Sequence, residues 1–94
     1  MDREVILRAL DEQRVLRIEY RGGAARTIQP HALVKKPDGT ELLQAFQVRG
    51  HSEGGAEHGW KTFDLAHLDR VDLLDEHFEP RRDFRPVSGQ SARV

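Results

Sequence analysis

The stretch RIEYRGGAARTIQPHAL, residues 17–33, decides the fold. Apolar and polar side chains alternate on both sides of the Gly22-Gly23 pair, and a period of two is typical of β-strands. Because glycine tolerates the positive φ angles of tight turns, the stretch predicts two strands joined by a turn. Pro30 lacks the N–H that a central strand donates, so it predicts a sheet edge, a bulge or a corner at that point.

The flanking sequence predicts one helix and three further strands. Asp2 is suited to cap a helix of about ten residues whose apolar side chains recur on one face. The later strands are ELLQAFQVR, WKTFDL and RVDLL, with a KPDGT turn before the first and the loop GHSEGGAEHG before the second. These elements predict a mainly β fold, an N-terminal helix plus a five-stranded, strongly bent antiparallel small barrel.

Length and composition indicate a single globular domain. The chain has 94 residues, of which 37% are hydrophobic and 33% charged. The absence of cysteine excludes disulfides and thiolate metal ligands and agrees with a reducing compartment. The sequence has neither the apolar stretch of a signal peptide nor that of a membrane helix, so we expect a cytoplasmic protein without a membrane partner.

The net charge of −1 is distributed unevenly. Residues 1–36 carry eight Lys/Arg against five Asp/Glu, residues 37–80 three against ten, and residues 81–94 four against one. This distribution excludes the uniformly basic surface of a duplex-DNA-binding domain. Local basic surfaces near the termini, self-association through opposite charges and an ordinary mixed surface all stay open.

The order of these features resembles the WYL domain. The residues that carry the resemblance are Ile18-x-Tyr20, the glycine turn, Arg26-x-x-x-Pro30-x-x-Leu33, GTELLQAFQ, KTFDLAHLDRV and Phe78. The resemblance covers residues 3–79. It implies an Sm-like small β-barrel with a leading helix, which we assign to residues 1–79. Residues 80–94 are polar and without periodicity, so we expect a tail that is partly disordered.

The resemblance also implies a function. WYL domains usually follow a helix-turn-helix in bacterial transcription regulators or accompany phage-defence systems, and they are thought to sense nucleotides or single-stranded nucleic acid. Here the predicted helix begins near Met1, so we expect a stand-alone module that regulates through another chain. We expect no catalysis and no cofactor.

The family's Trp-Tyr-Leu triplet is replaced by Glu41-Leu42-Leu43, and Asp64 reverses a basic position of the family pattern.

Three cations are the predicted contacts to phosphate: Arg26, Lys61 and Arg49. Arg26 shares the strand parity of Ile28, which aims it along the core side at the barrel mouth, where a guanidinium can grip phosphate. The alternative is that Arg26 caps the turn and points to water. Lys61 is a second cation for the same mouth or a solvated strand-end lysine. Arg49 continues the face of the third strand towards that mouth.

Aromatic side chains complete the predicted ligand-binding set. Phe46 and Trp60 fall on the strand parity opposite to the core, where they can stack a base. Packing under the helix or in a dimer contact is the alternative for both. Tyr20 follows core parity, which favours a core residue with a satisfied hydroxyl, and the set includes Tyr20 and His31.

A different class of function, an interaction module, also fits the pattern. Its contact to a second copy or to another chain would be the apolar outer face formed by Leu42, Phe46, Val48 and Trp60.

The loop at residues 50–59 invites a metal or catalytic interpretation. It contains His51, Glu53, Glu57 and His58, but its spacing is not one that places four ligands tetrahedrally. Ser52 beside His51 does not make a catalytic dyad without specific geometry. We predict no metal site and no enzyme.

Overall fold

The computed structural model describes residues 2–50, 58–86 and 90–93. The predicted helix and five strands are present, and a short 3₁₀ turn and a sixth strand are added. The elements are α1 (Asp2–Glu12), β1 (Arg14–Tyr20), β2 (Arg26–Lys35), β3 (Glu41–Gly50), β4 (Gly59–Asp64), the 3₁₀ turn (Leu65–His67), β5 (Leu68–His77) and β6 (Gln90–Arg93).

Five strands form one antiparallel sheet in the order β4-β3-β2-β1-β5. The backbone of β6 pairs with residues 33–35 of β2, beyond the residues that pair with β1. The sheet is strongly bent. This bend is evident from the contact of Tyr20 on β1 with Phe63 on β4, whose ring centroids are 5.0 Å apart. Strands are about 4.8 Å apart in a sheet, so a flat sheet would hold these two side chains three strand spacings from each other.

The sheet is open in the part of the chain that the structure describes. Its edge strands β4 and β5 share no ladder there, so the predicted closed Sm-like barrel is not confirmed. The chain leaves β4 at Asp64 and enters β5 at Leu68 after a single 3₁₀ turn. The two edges are joined covalently at this corner instead of by backbone hydrogen bonds.

The hydrophobic core lies on the inner face of the bent sheet, against α1. Ile6 and Ala9 of the helix have no exposed surface. The sheet residues that pack with them are Leu16, Ile18, Tyr20, Ile28, Leu43, Ala45 and Phe63. Burying a side chain of the size of leucine or phenylalanine contributes about 1.5–3 kcal/mol, so this small cluster holds the helix on the sheet.

β2 contains an extra residue at His31. Pro30 pairs with Ala45 and Ala32 pairs with Gln44, so His31 has no partner on β3. The bulge predicted as one option from Pro30 is therefore confirmed. It reverses the alternation beyond that point: Leu33 pairs with the core residue Leu43, whereas unbroken alternation had placed Leu33 on the outer face.

A second bulge lies in β3 at Val48. Thr27 of β2 pairs with Arg49, and Ile28 pairs with Gln47. Arg49 is therefore on the side of Thr27, because residues that pair across strands share a face. Gly50 follows with φ 114° and pairs with Arg26. The bulge separates Arg49 from the inner face that its sequence parity had indicated.

We expect Gly50→Ala to destabilise the protein more than an alanine at any of the other described glycines with positive φ, Gly22, Gly39 and Gly59. A Cβ at Gly50 would lie 2.6 Å from both the Ala25 oxygen and the Arg26 Cα. The positive φ costs about 1–3 kcal/mol for a non-glycine residue, and the clash with backbone adds about 1–3 kcal/mol. Chemical denaturation measures the free energy of unfolding.

The matched control is Gly39→Ala. Gly39 has φ 92° and no neighbouring atom within 4 Å of its added Cβ, so this variant loses only the backbone term. Equal losses of stability in the two variants would show that residues 25 and 26 do not approach Gly50 as closely as described.

Candidate functional site

Arg26 is a buried cation on the inner face of the sheet. It is 6% exposed, and its guanidinium carbon lies 5.5 Å from the ring centroid of Tyr20 and 5.5 Å from that of Phe63. Its Nη1 donates to the Gln47 Oε1 at 3.4 Å. Among the described residues its buried Nε has no hydrogen-bond partner, and no carboxylate forms an ion pair with it.

The surroundings of Arg26 are fixed by other contacts. The Tyr20 hydroxyl accepts a hydrogen bond from the Asp64 N–H at 3.0 Å, which holds the ring. Gln47 is fully buried and also donates through Nε2 to the Gly50 oxygen at 3.3 Å, across the β3 bulge. Two aromatic faces and one amide therefore orient the guanidinium before any ligand is present. Sequence reasoning identified Arg26 and Tyr20 but missed Gln47 and Phe63.

The other two predicted cations lie on different faces. Lys61 pairs with Ala45 and is half-buried, so it is on the inner face with Arg26. Arg49 is exposed and on the side of Thr27. The structure therefore brings two of the three predicted cations to one face, and it does not bring Arg49 to them.

His31, Phe46 and Trp60 lie together on the outer face. The Phe46 and Trp60 rings are perpendicular, with centroids 5.4 Å apart, and the His31 ring is 4.8 Å from Trp60. Cross-strand pairing explains the first contact, because Phe46 pairs with Trp60. These three predicted ligand contacts are thus close to one another and separated from Arg26 by the sheet.

Residues 78–86, the C-terminal segment, cover this aromatic cluster. The Arg81 guanidinium carbon lies 3.5 Å from the Phe46 ring centroid, a cation–π contact. The Trp60 Nε1 donates to the Asp83 carboxylate at 3.1 Å, and the Phe84 ring is 5.3 Å from Trp60. Phe46 and Trp60 of the outer apolar face are therefore packed by the chain itself, an arrangement that neither sequence alternative described.

His31 connects the sheet to the C-terminal segment. Its Nε2 accepts from the Arg81 backbone N–H at 3.0 Å, so this nitrogen carries no proton. The neutral ring then has its proton on Nδ1, which donates to the Gln29 oxygen at 2.8 Å. Burial lowers the pKa of His31 below its ordinary value of 6.5, partly opposed by the Gln29 carbonyl, and the charge of Arg81 lowers it further while Asp83 raises it.

Comparison with known proteins places the chain in a family. The sequence model of the WYL domain matches residues 3–73. The chain belongs to the WYL domain family. No curated protein and no solved structure is significantly similar to it. WYL domains are in general regulatory, ligand-sensing and non-enzymatic modules. The match ends before the C-terminal segment, so the cover over the aromatic cluster lies outside the WYL region.

The altered WYL triplet opens β3 and has structural contacts. Glu41 forms an ion pair with Arg3 of α1, with 3.0 Å between the Glu41 Oε1 and the Arg3 Nε, and Leu43 is in the core. Leu42 pairs with Asp64 and is half-buried. In this WYL domain the triplet positions therefore tie β3 to the helix and to β4.

The metal and catalytic alternatives concern residues that are mostly outside the described ranges, namely His51, Ser52, Glu53 and Glu57. Within the described part of the chain no three metal-ligating side chains cluster. In that same part, no helix has the length and apolar character needed to span a membrane.

We expect acid to weaken the WYL domain through His31. The unfolded chain takes up a proton near pH 6.5, whereas the folded ring resists it, because a protonated Nε2 would face the Arg81 N–H. The contribution of His31 to the free energy of unfolding should therefore be complete above about pH 6.5. The free energy of unfolding should fall as the pH drops below that value. Trp60, the only tryptophan, reports release of the segment by fluorescence.

His31→Gln should flatten this pH dependence, because its amide does not titrate in this range. The exposed His77→Gln is the matched control and should retain the wild-type profile. A wild-type profile in His31→Gln would mean that His31 is not the responsible group.

Proposed function

We propose that this WYL domain senses a phosphate-bearing ligand, a nucleotide or a single-stranded nucleic acid, and that Arg26 holds the phosphate. The observation that carries the proposal is the buried guanidinium whose Nε has no partner among the described residues. Family membership supports a sensing role. The output of this sensor would be regulation of transcription or of phage defence through another chain, without a chemical step.

A phosphate supplies what the surroundings of Arg26 lack. A buried charge is costly unless a counter-charge and hydrogen bonds satisfy it. Tyr20, Phe63 and Gln47 are all neutral, so their contacts stabilise the guanidinium without cancelling its charge. A phosphate oxygen can accept from Nε in a charge-assisted hydrogen bond, which is about twice as strong as a neutral one.

The position of Arg26 in its strand permits access to the ligand. Arg26 begins β2 and Gly50 ends β3, so the backbone of Arg26 lies at an end of the β2–β3 ladder and not in its middle. Lys61 lies on the same face and adds a second positive charge for a phosphate diester or a second phosphate. Base stacking on Phe46 and Trp60 is not part of the proposal, because the C-terminal segment packs on both rings.

The test compares Arg26→Met with Arg49→Met. Both substitutions remove one positive charge, but Arg49 is exposed on the other side of the ladder. AMP and a short single-stranded oligodeoxynucleotide are titrated by calorimetry at several salt concentrations. We expect Arg26→Met to weaken binding by about tenfold or more, as for the loss of a charge-assisted contact, and to reduce the salt dependence.

Arg49→Met should change the affinity by less than about twofold, in keeping with an exposed charge. Arg26→Lys keeps the charge but loses the forked geometry, so it should recover only part of the affinity. Thermal unfolding checks that each variant is folded. A folded Arg26→Met variant with wild-type affinity would remove Arg26 from the site and refute the proposal.

A further inference from the structure

A cavity of about 240 Å³ lies between the body of the domain and the C-terminal segment. Its wall is formed by residues of the body and residues of the segment. The residues that line it are Leu10, Gln13, Pro30 and His31 from the body, and Phe78, Pro80, Arg81 and Phe84 from the segment. The cavity does not include Arg26, so it is separate from the proposed phosphate site.

The segment spans the cavity between two fixed points. The N–H of Phe78 donates to the Gln13 oxygen at 3.0 Å, at the end of α1. Three residues later the N–H of Arg81 donates to His31 Nε2 at 3.0 Å. Pro80 lies between these anchors and has no N–H to donate. The cavity therefore has a wall that is hydrogen-bonded to the body at Phe78 and at Arg81 and belongs to a different part of the chain from the opposite wall.

The wall suits an uncharged, planar molecule. The His31 ring lies 5.3 Å from Phe78 and 5.3 Å from Phe84, and both pairs are tilted, so aromatic surface dominates. The nitrogens of His31 are used by Gln29 and Arg81. The Arg81 side chain is held by two neutral groups, because its Nε donates to the Gln29 amide at 2.9 Å and its guanidinium stacks on Phe46.

Size restricts the ligand further. An apolar cavity of about 150 Å³ accommodates benzene, and pockets for drug-sized ligands measure about 300–1,000 Å³. A volume of about 240 Å³ fits one ring or two fused rings and is too small for a nucleotide.

We propose that this cavity binds a small, neutral, planar aromatic compound and that its binding fastens the C-terminal segment to the sheet. The fastening of the segment follows from the binding of the ligand. A ligand that touches both walls binds the docked arrangement better than the released one, and this difference shifts the equilibrium towards docking. Occupancy would thus determine how often the aromatic cluster of His31, Phe46 and Trp60 is covered.

The test uses indole as the probe and amide NMR of the full chain. We expect saturable shifts at the Phe78 and Arg81 amides and at the Trp60 Nε1–H, with a dissociation constant of about 1 mM or lower. Indole should also raise the melting temperature. Indole-3-carboxylate, which adds a charge, should bind at least about fivefold more weakly, because the aromatic wall removes the carboxylate from water and burying a charge is costly. Tighter binding of the carboxylate would overturn the assignment to a neutral ligand.

Leu10→Phe tests the location by filling the cavity from α1. It should abolish the saturable shifts, whereas Leu7→Phe, on the same helix but outside the wall, should bind indole like the wild type. If Leu10→Phe does not fold, Phe84→Trp fills the cavity from the segment side and replaces it. Wild-type indole affinity in a folded, cavity-filled variant would refute the site, and so would shifts that do not saturate.

Discussion

The extra residue at His31 in β2 is the constraint on which the outer half of the molecule depends. It leaves His31 without a partner on β3, so the ring can face the C-terminal segment and accept the Arg81 N–H. The neutral imidazole thereby hydrogen-bonds two backbone groups, the carbonyl of Gln29 in β2 and the N–H of Arg81 in the C-terminal segment. Without the bulge, the alternation of β2 would continue, and Leu33 would move from the core to the outer face of the sheet.

The second bulge performs the complementary task on the inner half. Arg26 and Arg49 are near each other in the β2–β3 ladder, yet one is buried on two aromatic rings and the other is exposed. Charge and residue type do not distinguish them. The register shift at Val48 does, because a shift of one residue moves a side chain to the opposite face of a sheet. The inner face thus keeps one guanidinium, whose solvation must come from neutral neighbours or from an anion.

The sequence predicted those features that follow from local periodicity. Alternation located five strands, and the parity of Arg26 with Ile28 correctly placed Arg26 on the core side. A bulge, in contrast, is a property of two strands together, so a constant period misplaced Leu33 and Arg49. The packing of residues 78–86 was missed for another reason: it depends on single contacts, such as Arg81 on Phe46 and Asp83 on Trp60, and such contacts leave no period. The isolated aromatic Phe84 in a polar stretch was the available signal.

The two faces meet at adjacent residues of β3, and in the proposed sensor this adjacency would couple the phosphate site to the C-terminal segment. Gln47 holds Arg26 on the inner face, while Phe46 carries Arg81 on the outer face. Both residues lie in a stretch of regular pairing, residues 45–47 with 28–30, that is bounded by the two bulges. A ligand that draws Arg26 away from Gln47 would act on the residue next to the one that holds the C-terminal segment. An effect at a distance requires a difference in binding free energy between two arrangements, and in the proposed sensor the docked and released segment would be those arrangements.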